Sequence, residues 1–453
     1  MAENKGDGSV YPSGGIAAGR PLLKQEVKHD VRQNRAADEV FTPVASAMPR
    51  AMVLLFAIAC GVSVANVYYA QPLLDALAAE FGFTQAAVGV VVTATQIGSA
   101  LALILVVPLG DLLDRRRLTL TQLLLLLAAL AGVATASSPA ALLAGMLLVG
   151  MLGTAMTQGL IAYAATLAAP DERGRVVGTA QAGVVIGLLL ARTMAGFVAD
   201  IAGWRMVYFV SAALAAMLLV LLHVRLPKHG ELGNQVHGGS ANARLSYFQL
   251  LASMVQLMWR DRVLQIRGVI AMLMFAVMNI FWSALVLPLR MPPYSLSHTA
   301  IGAFGLIGVV GTLGAARAGK LADGGKGQWT SGMALLLLLG SWLPLALLSQ
   351  SLWLLAAGVL MLDLAAQAIH VTNQSMIFRS NTGAHSRLVA CYMIFYAVGS
   401  GAGAIMSTAA FAAWGWLGVS LLGTGVSLLA LLFWAGSLRY MPVSQVGQTG
   451  PAT

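Results

Sequence analysis

The sequence predicts an all-α membrane protein of twelve transmembrane helices arranged as two parallel six-helix repeats. Three observations predict it. The chain carries about twelve apolar stretches, each long enough to cross a bilayer. Its basic residues gather in alternate breaks between those stretches, and short motifs recur at a nearly constant offset. A hydrocarbon core of about 30 Å is crossed by roughly 20 apolar residues in helical form. Of the 453 residues, 58% are hydrophobic and 10% charged, which leaves too little polar surface for a soluble chain of this size.

The first six spans are placed at about 50–72, 85–110, 117–137, 139–168, 175–199 and 204–225. The last six fall at about 266–290, 299–320, 329–349, 352–377, 386–412 and 415–438. One set of breaks holds Arg115 to Arg117, Arg173 and Arg175, the basic residues from Arg225 to Arg267, then Arg317, Lys320, Lys326, Arg379, Arg387 and Arg439. The opposite set holds Arg205 and Arg290 alone. With the basic residues before position 51 added, 24 of 27 Lys and Arg lie on the first side, two on the second, and Arg192 lies within a span. Basic loops stay cytoplasmic, so the pattern predicts an even number of crossings with both termini in the cytoplasm. The net charge of +10 therefore reads as a topology signal. No nucleic-acid partner is expected; the lipid bilayer is.

Residues 1–47 are polar and predict a flexible cytoplasmic tail, with no signal peptide, because the first apolar stretch begins only near Ala51. A six-helix bundle over 48–226 follows. A cytoplasmic linker over 227–264 carries an amphipathic piece near Leu245–Trp259, expected to lie on the membrane surface. A second bundle over 265–440 and a short cytoplasmic tail over 441–453 complete the chain. Cys60 and Cys391 both fall in apolar stretches and predict buried free thiols.

An internal repeat supports the two bundles. Gly110-Asp111-Leu112-Leu113-Asp114 recurs as Gly319-Lys320-Leu321-Ala322-Asp323 at an offset of 209, and Asn66-Val67-Tyr68-Tyr69 as Asn279-Ile280-Phe281-Trp282 at 213. Arg175 matches Arg387 and Gly203-Trp204 matches Gly415-Trp416, both at 212. Parallel halves about an axis normal to the membrane are a transporter design, with the site at the interface between the repeats.

Polar residues inside the apolar spans are the candidates for chemistry, because polarity is expensive there. Asp363 lies near the middle of the tenth span. A charged acid at such a depth costs about 2.5–3.5 kcal/mol on insertion scales, so it is a natural carrier of an exchangeable proton. Gln367, His370 and Gln374 follow at +4, +7 and +11, which places all four on one helix face. Arg192 in the fifth span keeps its proton and acts as a fixed charge, positioned to pair with Asp363 or to attract an anionic group. The competing readings are a hydrogen-bond stripe between helices for Asp363 and His370, and a structural or snorkelling arginine for Arg192. Asn66, Tyr68, Tyr69 and Gln71 in the first span, with Asn279 and Trp282 at related positions in the seventh, offer amides for orientation and aromatic faces for flat or cationic ligands. Gln96, Gln158 and Tyr396 join them as cavity candidates. Packing between helices and aromatic anchoring at the interface are the alternatives for this group. Gly399, Gly401 and Gly403 fit a close helix contact that can slide.

The run Gly110-Asp111-Leu112-Leu113-Asp114-Arg115-Arg116-Arg117 resembles the loop 2–3 signature of the major facilitator superfamily, with arginine in place of its second glycine. Its copy at Gly319–Lys326 falls in loop 8–9. The resemblance spans about residues 50–440 and implies the major facilitator fold. It also implies a gating role for Gly110, Asp114, Arg115 and Arg117, with Gly319 and Asp323 as their counterparts; topogenic charge is the simpler reading of the same residues. Asn66-Val67-Tyr68-Tyr69-Ala70-Gln71-Pro72-Leu73-Leu74 and His370-Val371-Thr372-Asn373-Gln374-Ser375 resemble the bacterial drug and sugar efflux, proton-antiporter branch. In that branch an arginine is common in the fourth helix, where this chain has Met146, and a Gly-Pro pair in the fifth, where Gly183 and Gly187 lack the proline.

The sequence contains no Walker-type phosphate loop, no zinc-ligand spacing, no haem motif and no nucleophile elbow. The expectation is a secondary transporter rather than an enzyme, with no cofactor and no metal. Its partners are a small-molecule substrate and protons, and a monomer suffices. Proton-coupled efflux by alternating access is the leading expectation. Uptake by proton symport or uniport is the alternative, and a non-transporting membrane receptor is the reading from another class.

Overall fold

In lipid, a backbone satisfies its own N–H and C=O groups by winding into a helix. The computed structural model follows that rule: no strand occurs among the described residues, which are 48–169, 171–226, 246–380 and 385–440. Both expected tails and the first part of the linker lie outside them. The first group of helices is α1 (Arg50–Ala65), α2 (Leu74–Phe81), α3 (Val90–Leu101), α4 (Arg115–Ala134), α5 (Pro139–Leu167), α6 (Arg173–Ala202) and α7 (Trp204–Arg225). Helix α8 (Tyr247–Arg260) belongs to the linker. The second group is α9 (Arg262–Ala284), α10 (Val286–Arg290), α11 (His298–Ala303), α12 (Gly308–Leu321), α13 (Gly327–Gly340), α14 (Trp342–Ala346), α15 (Leu352–Ser380) and α16 (His385–Ser437).

Nine helices among the described residues are long and apolar enough to cross a membrane, and two shorter apolar ones, Arg50–Ala65 and His298–Gly311, stand where the first and eighth spans are expected. One of the nine, α16, contains non-helical backbone at Trp414 and at Gly415, whose φ of 60° suits a residue without a side chain. That break divides the eleventh span from the twelfth, so twelve crossings are accommodated.

The first crossing differs from its expected extent. Instead of continuing to residue 72, α1 stops at Ala65. The Asn66 amide turns back onto the Val62 carbonyl at 2.8 Å, and the next residues form tight turns. Pro72, which lacks an N–H, lies in a short 3-10 turn (Gln71–Leu73) before α2 carries the chain on to Phe81. The seventh crossing is likewise interrupted at Leu285, between α9 and α10.

Helix pairing repeats between the groups. In the first, α1 packs on α6, α3 on α5 and α4 on α7; in the second, α9 packs on α16, α12 on α15 and α13 on the later part of the chain in α16 and on α15. The groups meet through α3 against α16 and α6 against α11. Glycine makes the closest of these contacts. A Cβ on Gly187 would collide with the Gly61 carbonyl, and a Cβ on Gly399 or Gly403 with the carbonyls of Met272 or Ala276. Backbones therefore touch at both α1–α6 and α9–α16. Gly401, expected to serve the same contact, instead faces Thr93 and Gln96 of α3.

Helix α8 carries apolar side chains on both its buried and its exposed sides. Ser246 and Gln249 close a capping box at its start, Leu250 and Met254 are buried, and Phe248, Val255 and Trp259 are exposed. An apolar stripe left open beside the bundle suits the lipid interface. Arg267, expected among the linker charges, instead lies inside α9 and is fully buried, bonded to Ser331 at 2.7 Å. Its long stem and guanidinium are packed between helices, so it is not a loop charge. Cys60 and Cys391 are buried free thiols.

Candidate functional site

The broken first crossing supplies the site. After Ala65 the α-helical ladder gives way to tight turns, and from these Tyr68 and Gln71 face α6 and α9. Gln71 accepts a hydrogen bond from Arg192 Nε at 2.7 Å and donates through Nε2 to Asn279 Oδ1 at 3.0 Å. Asn279 in turn donates to the Phe275 carbonyl of its own helix at 3.1 Å. The Arg192 guanidinium stands over the Trp282 ring at 4.2 Å and the Tyr68 ring at 5.1 Å. Tyr68 and Tyr396 share a hydroxyl hydrogen bond of 2.5 Å. Residues from the first crossing, α6, α9 and α16 thus meet around one cation.

Asp363 completes this centre from α15. It is 7% exposed and Arg192 is 5% exposed. The two charges feel each other, and the Trp282 indole lies beside the carboxyl, but no ion pair within 4.0 Å joins them. A buried guanidinium costs several kcal/mol (about 3 or more) to desolvate unless hydrogen bonds and nearby charge compensate. Here one amide, two aromatic faces and a distant carboxylate do so. A cleft beside the centre is lined by Gln71, Pro72, Arg192, Trp282, Leu285, Val286, Ile301 and Gly302, with room for about one water molecule.

A second group lies along α15. His370 Nδ1 meets the Tyr392 hydroxyl at 3.0 Å, and Gln374 Nε2 lies 3.3 Å from His370 Nε2. Phe275 connects this group to the centre, its ring 5.4 Å from His370 and 4.4 Å from Tyr396. Asp363, His370 and Gln374 share α15, with the apolar Phe275 ring standing between His370 and Tyr396. Gln367 and Gln158 are half-buried and make no hydrogen bond to the centre. Gln96 is buried next to Tyr396, with neither amide atom in a well-formed hydrogen bond. Asn66 and Tyr69 turn elsewhere: Ser211 of α7 donates to Asn66 Oδ1 at 2.6 Å and lies beside Tyr69. These two hold α7 against the first crossing.

At the signature, Asp114 caps α4 by accepting the Arg117 N–H at 2.8 Å, and Arg116 donates to the His223 carbonyl at the end of α7 at 2.8 Å. Arg115 begins α4, and Gly110 lies in a 3-10 turn over Leu118. Gly319 packs near Val371 of α15. The side chain of Asp323 lies outside the described residues.

Sequence reasoning missed a cluster at the face with few basic residues. His298, at the start of α11, places Nδ1 2.9 Å from Asp200 Oδ1 and Nε2 3.0 Å from Asp75 Oδ1. Arg290 Nε reaches Asp75 Oδ2 at 2.9 Å. Asp200 also accepts the backbone N–H groups of His298 at 3.0 Å and Thr299 at 2.8 Å, capping α11 from the other helix group. Burial disfavours the charged form of His298, yet hydrogen bonds and charge from Asp75, with the bond to Asp200, outweigh burial and the opposing Arg290 and hold the imidazole above its ordinary value. Burial likewise pushes Asp75 up, and its bonds to His298 and Arg290 more than reverse that, leaving it below the usual carboxylate range. The only signal in the sequence was two acids and a histidine at predicted span ends, His298 lying 98 residues from Asp200 and 223 from Asp75.

Paired helices repeated in two groups, with a buried charged centre where the groups meet, define a membrane transporter of the major facilitator fold. The family model described as Major Facilitator Superfamily matches residues 56–380, and the chain belongs to that family. It is 41% identical over 384 residues to the "Uncharacterized transporter YgaY" of Escherichia coli O157:H7, covering 85% of this chain and 95% of that one. It is 31% identical over 377 residues to the "Probable transporter SCO4007" of Streptomyces coelicolor, covering 82% of this chain and 84% of that one. Among solved structures, a bacterial homologue of the human lysosomal transporter Spinster superposes with a TM-score of 0.69 at 14% identity, over 88% of this chain and 98% of that chain. That likeness concerns the fold.

Proposed function

We propose that this transporter exports a small organic compound in exchange for protons by alternating access, with Asp363 carrying the proton. The observation that carries the reading is a buried acid close enough to Arg192 to feel its charge but not ion-paired with it. An acid held that way exchanges a proton when the cavity opens, and the fixed cation tunes how readily it does so. Arg192, stacked on Trp282 and Tyr68 and bonded to Gln71, presents a cationic, aromatic and amide surface to a substrate. His370 and Gln374, bonded to each other further along α15, are the next polar groups on the same helix.

The bundles over 48–226 and 265–440 rock about this centre, linked by 227–264, with both termini in the cytoplasm and the protein monomeric in the bacterial inner membrane. The signature at Gly110, Asp114, Arg115 and Arg117, with Gly319 and Asp323, controls the cytoplasmic side. The residue pattern shared with the drug and sugar efflux branch supports export as the direction.

The test is substrate-induced proton movement in proteoliposomes, screened with a broad compound panel, using wild type and Asp363→Asn. A compound that moves protons in wild type and not in the variant supports the reading. Proton flux retained by Asp363→Asn moves the carrier elsewhere. Solute flux without protons makes the protein a uniporter, and accumulation driven by an inward proton gradient makes it a symporter.

A further inference from the structure

The cluster at the end of the helix groups opposite the basic loops has no part in the centre described above. Both ring nitrogens of His298 face carboxylates, Asp200 at 2.9 Å and Asp75 at 3.0 Å. A carboxylate only accepts, and a neutral imidazole carries a single N–H. Two such bonds therefore require two N–H groups, which only the imidazolium has. The geometry thus contains a proton. The two acids come from α2 and α6 in the first group, while His298 and Arg290 come from the second, so the proton joins the groups.

We propose that His298 is a proton-binding site of the outer face, distinct from Asp363, and that its proton latches the outer ends of the two helix groups together. The assignment of this face as the outer one, and of a state in which it opens, rests on the alternating-access reading above. The charged side chains facing the ring are Asp75 from α2, Asp200 from α6 and Arg290 from α10. Tyr294, in the loop before α11, directs its hydroxyl to the Leu348 carbonyl at 2.7 Å. Glu80 and Arg205, the other charged pair on this face, bond each other and brace the first group internally against Trp204 and Ala136. With His298 protonated, two anions meet two cations. Without the proton, two carboxylates share Arg290 and one N–H, and one ring nitrogen opposes a carboxylate lone pair.

The latch lies directly over the cleft beside Arg192. Gly196 and Gly302 let the backbones of α6 and α11 touch, Gly196 against the His298 carbonyl and Gly302 against that of Arg192. Thr193 donates to the Gly302 carbonyl at 3.0 Å. Asp200 follows Arg192 by eight residues, about 12 Å along the helix. Separating α6 from α11 at Asp200 uncovers Ile301 and Gly302, two walls of the cleft. Because the folded-state value of His298 is raised, the latch is fully present below the ordinary imidazole value and is lost as pH rises through the raised one.

The test needs no substrate. Spin labels go on Ala79 and Gln350, exposed positions of the first and second groups on this face, with Cys60 and Cys391 replaced by serine. Distances are measured in nanodiscs between about pH 5 and pH 8.5, bracketing the ordinary imidazole value of about 6.5. Wild type should show one short distance in acid and a longer population that grows as pH rises above that value. His298→Gln should give a distribution that does not change with pH, His298→Arg the short distance throughout, and Asp200→Asn a lower midpoint. A pH-independent wild type, or a titration that survives in both His298 variants, overturns the proposal. A latch that titrates in a protein moving no protons leaves it standing and instead removes the proton-coupling reading.

Discussion

Replacing Arg192 with glutamine separates the contributions at the centre. The guanidinium's hydrogen bond to Gln71, 2.7 Å long, is charge-assisted and contributes about 1.5–3 kcal/mol. Its contacts with Trp282 and Tyr68 contribute about 0.5–2 kcal/mol each. Desolvating the cation costs several kcal/mol, about as much as these gains together. The single variant's stability is therefore a small difference between large quantities. Its coupling to Asp363 is cleaner. The two charges are more than 4.0 Å apart, so at an effective dielectric of about 20 their attraction stays below about 4 kcal/mol. The assay is a double-mutant cycle of wild type, Arg192→Gln, Asp363→Asn and the double variant, read by reversible unfolding in detergent. A coupling of about 1–4 kcal/mol is expected, with the double variant less destabilised than the sum of the singles. It should shrink as pH falls and Asp363 takes up its proton. Additivity within about 0.5 kcal/mol refutes the electrostatic link.

Three further outcomes are expected. Gly187→Val forces a branched side chain into the Gly61 carbonyl and should cost at least about 1–3 kcal/mol, seen as a lower melting temperature; an unchanged melt contradicts the close α1–α6 contact. The outer cluster should give a stability maximum in pH: Asp75, held low, loses its contribution as pH falls through its depressed value, and His298, held high, loses its own as pH rises through its raised value. Detergent melts should show Asp75→Asn flattening the acid limb and His298→Gln the basic one, and limbs unchanged by both would count against the bonds described. Trp282→Phe keeps an aromatic face over Arg192 and Trp282→Leu does not, so in a transport assay Phe should retain most of the apparent substrate affinity and Leu should lose about 1 kcal/mol or more, roughly fivefold; equal affinities would remove the stacked cation from the binding surface.

Much of the architecture was legible because lipid leaves a chain few options. Apolar length and charge asymmetry marked the spans, and the recurring Gly203-Trp204 and Gly415-Trp416 pairs marked equivalent breaks. Local tightening of the helix into turns was not legible there. The end of α1 at Ala65 depends on Asn66 bonding backward, a choice that hydropathy does not register. At the candidate centre, Arg192, Asp363, Tyr68, Gln71, Asn279, Trp282 and Tyr396 stood out individually as polar or aromatic residues in apolar spans. Their convergence depends on packing between elements far apart in the chain. Asn66 and Tyr69 look no different in sequence from Tyr68 and Gln71, yet within the tight turns they face Ser211 instead. His298 was overlooked because a histidine at a span end looks like a solvated loop residue until Asp75 and Asp200 arrive from other helices. Arg267 was misread for the converse reason: it sits near a span end but faces inward.

The central claim is that Asp363 couples protons to solute movement. The most direct test compares substrate exchange with gradient-driven transport in the same proteoliposomes. Exchange returns the carrier loaded and needs no change of protonation, whereas net transport against a gradient does. The account predicts that Asp363→Asn keeps substrate exchange while losing accumulation driven by a proton gradient and the accompanying pH change. Gradient-driven accumulation at wild-type levels in a folded Asp363→Asn protein would contradict it.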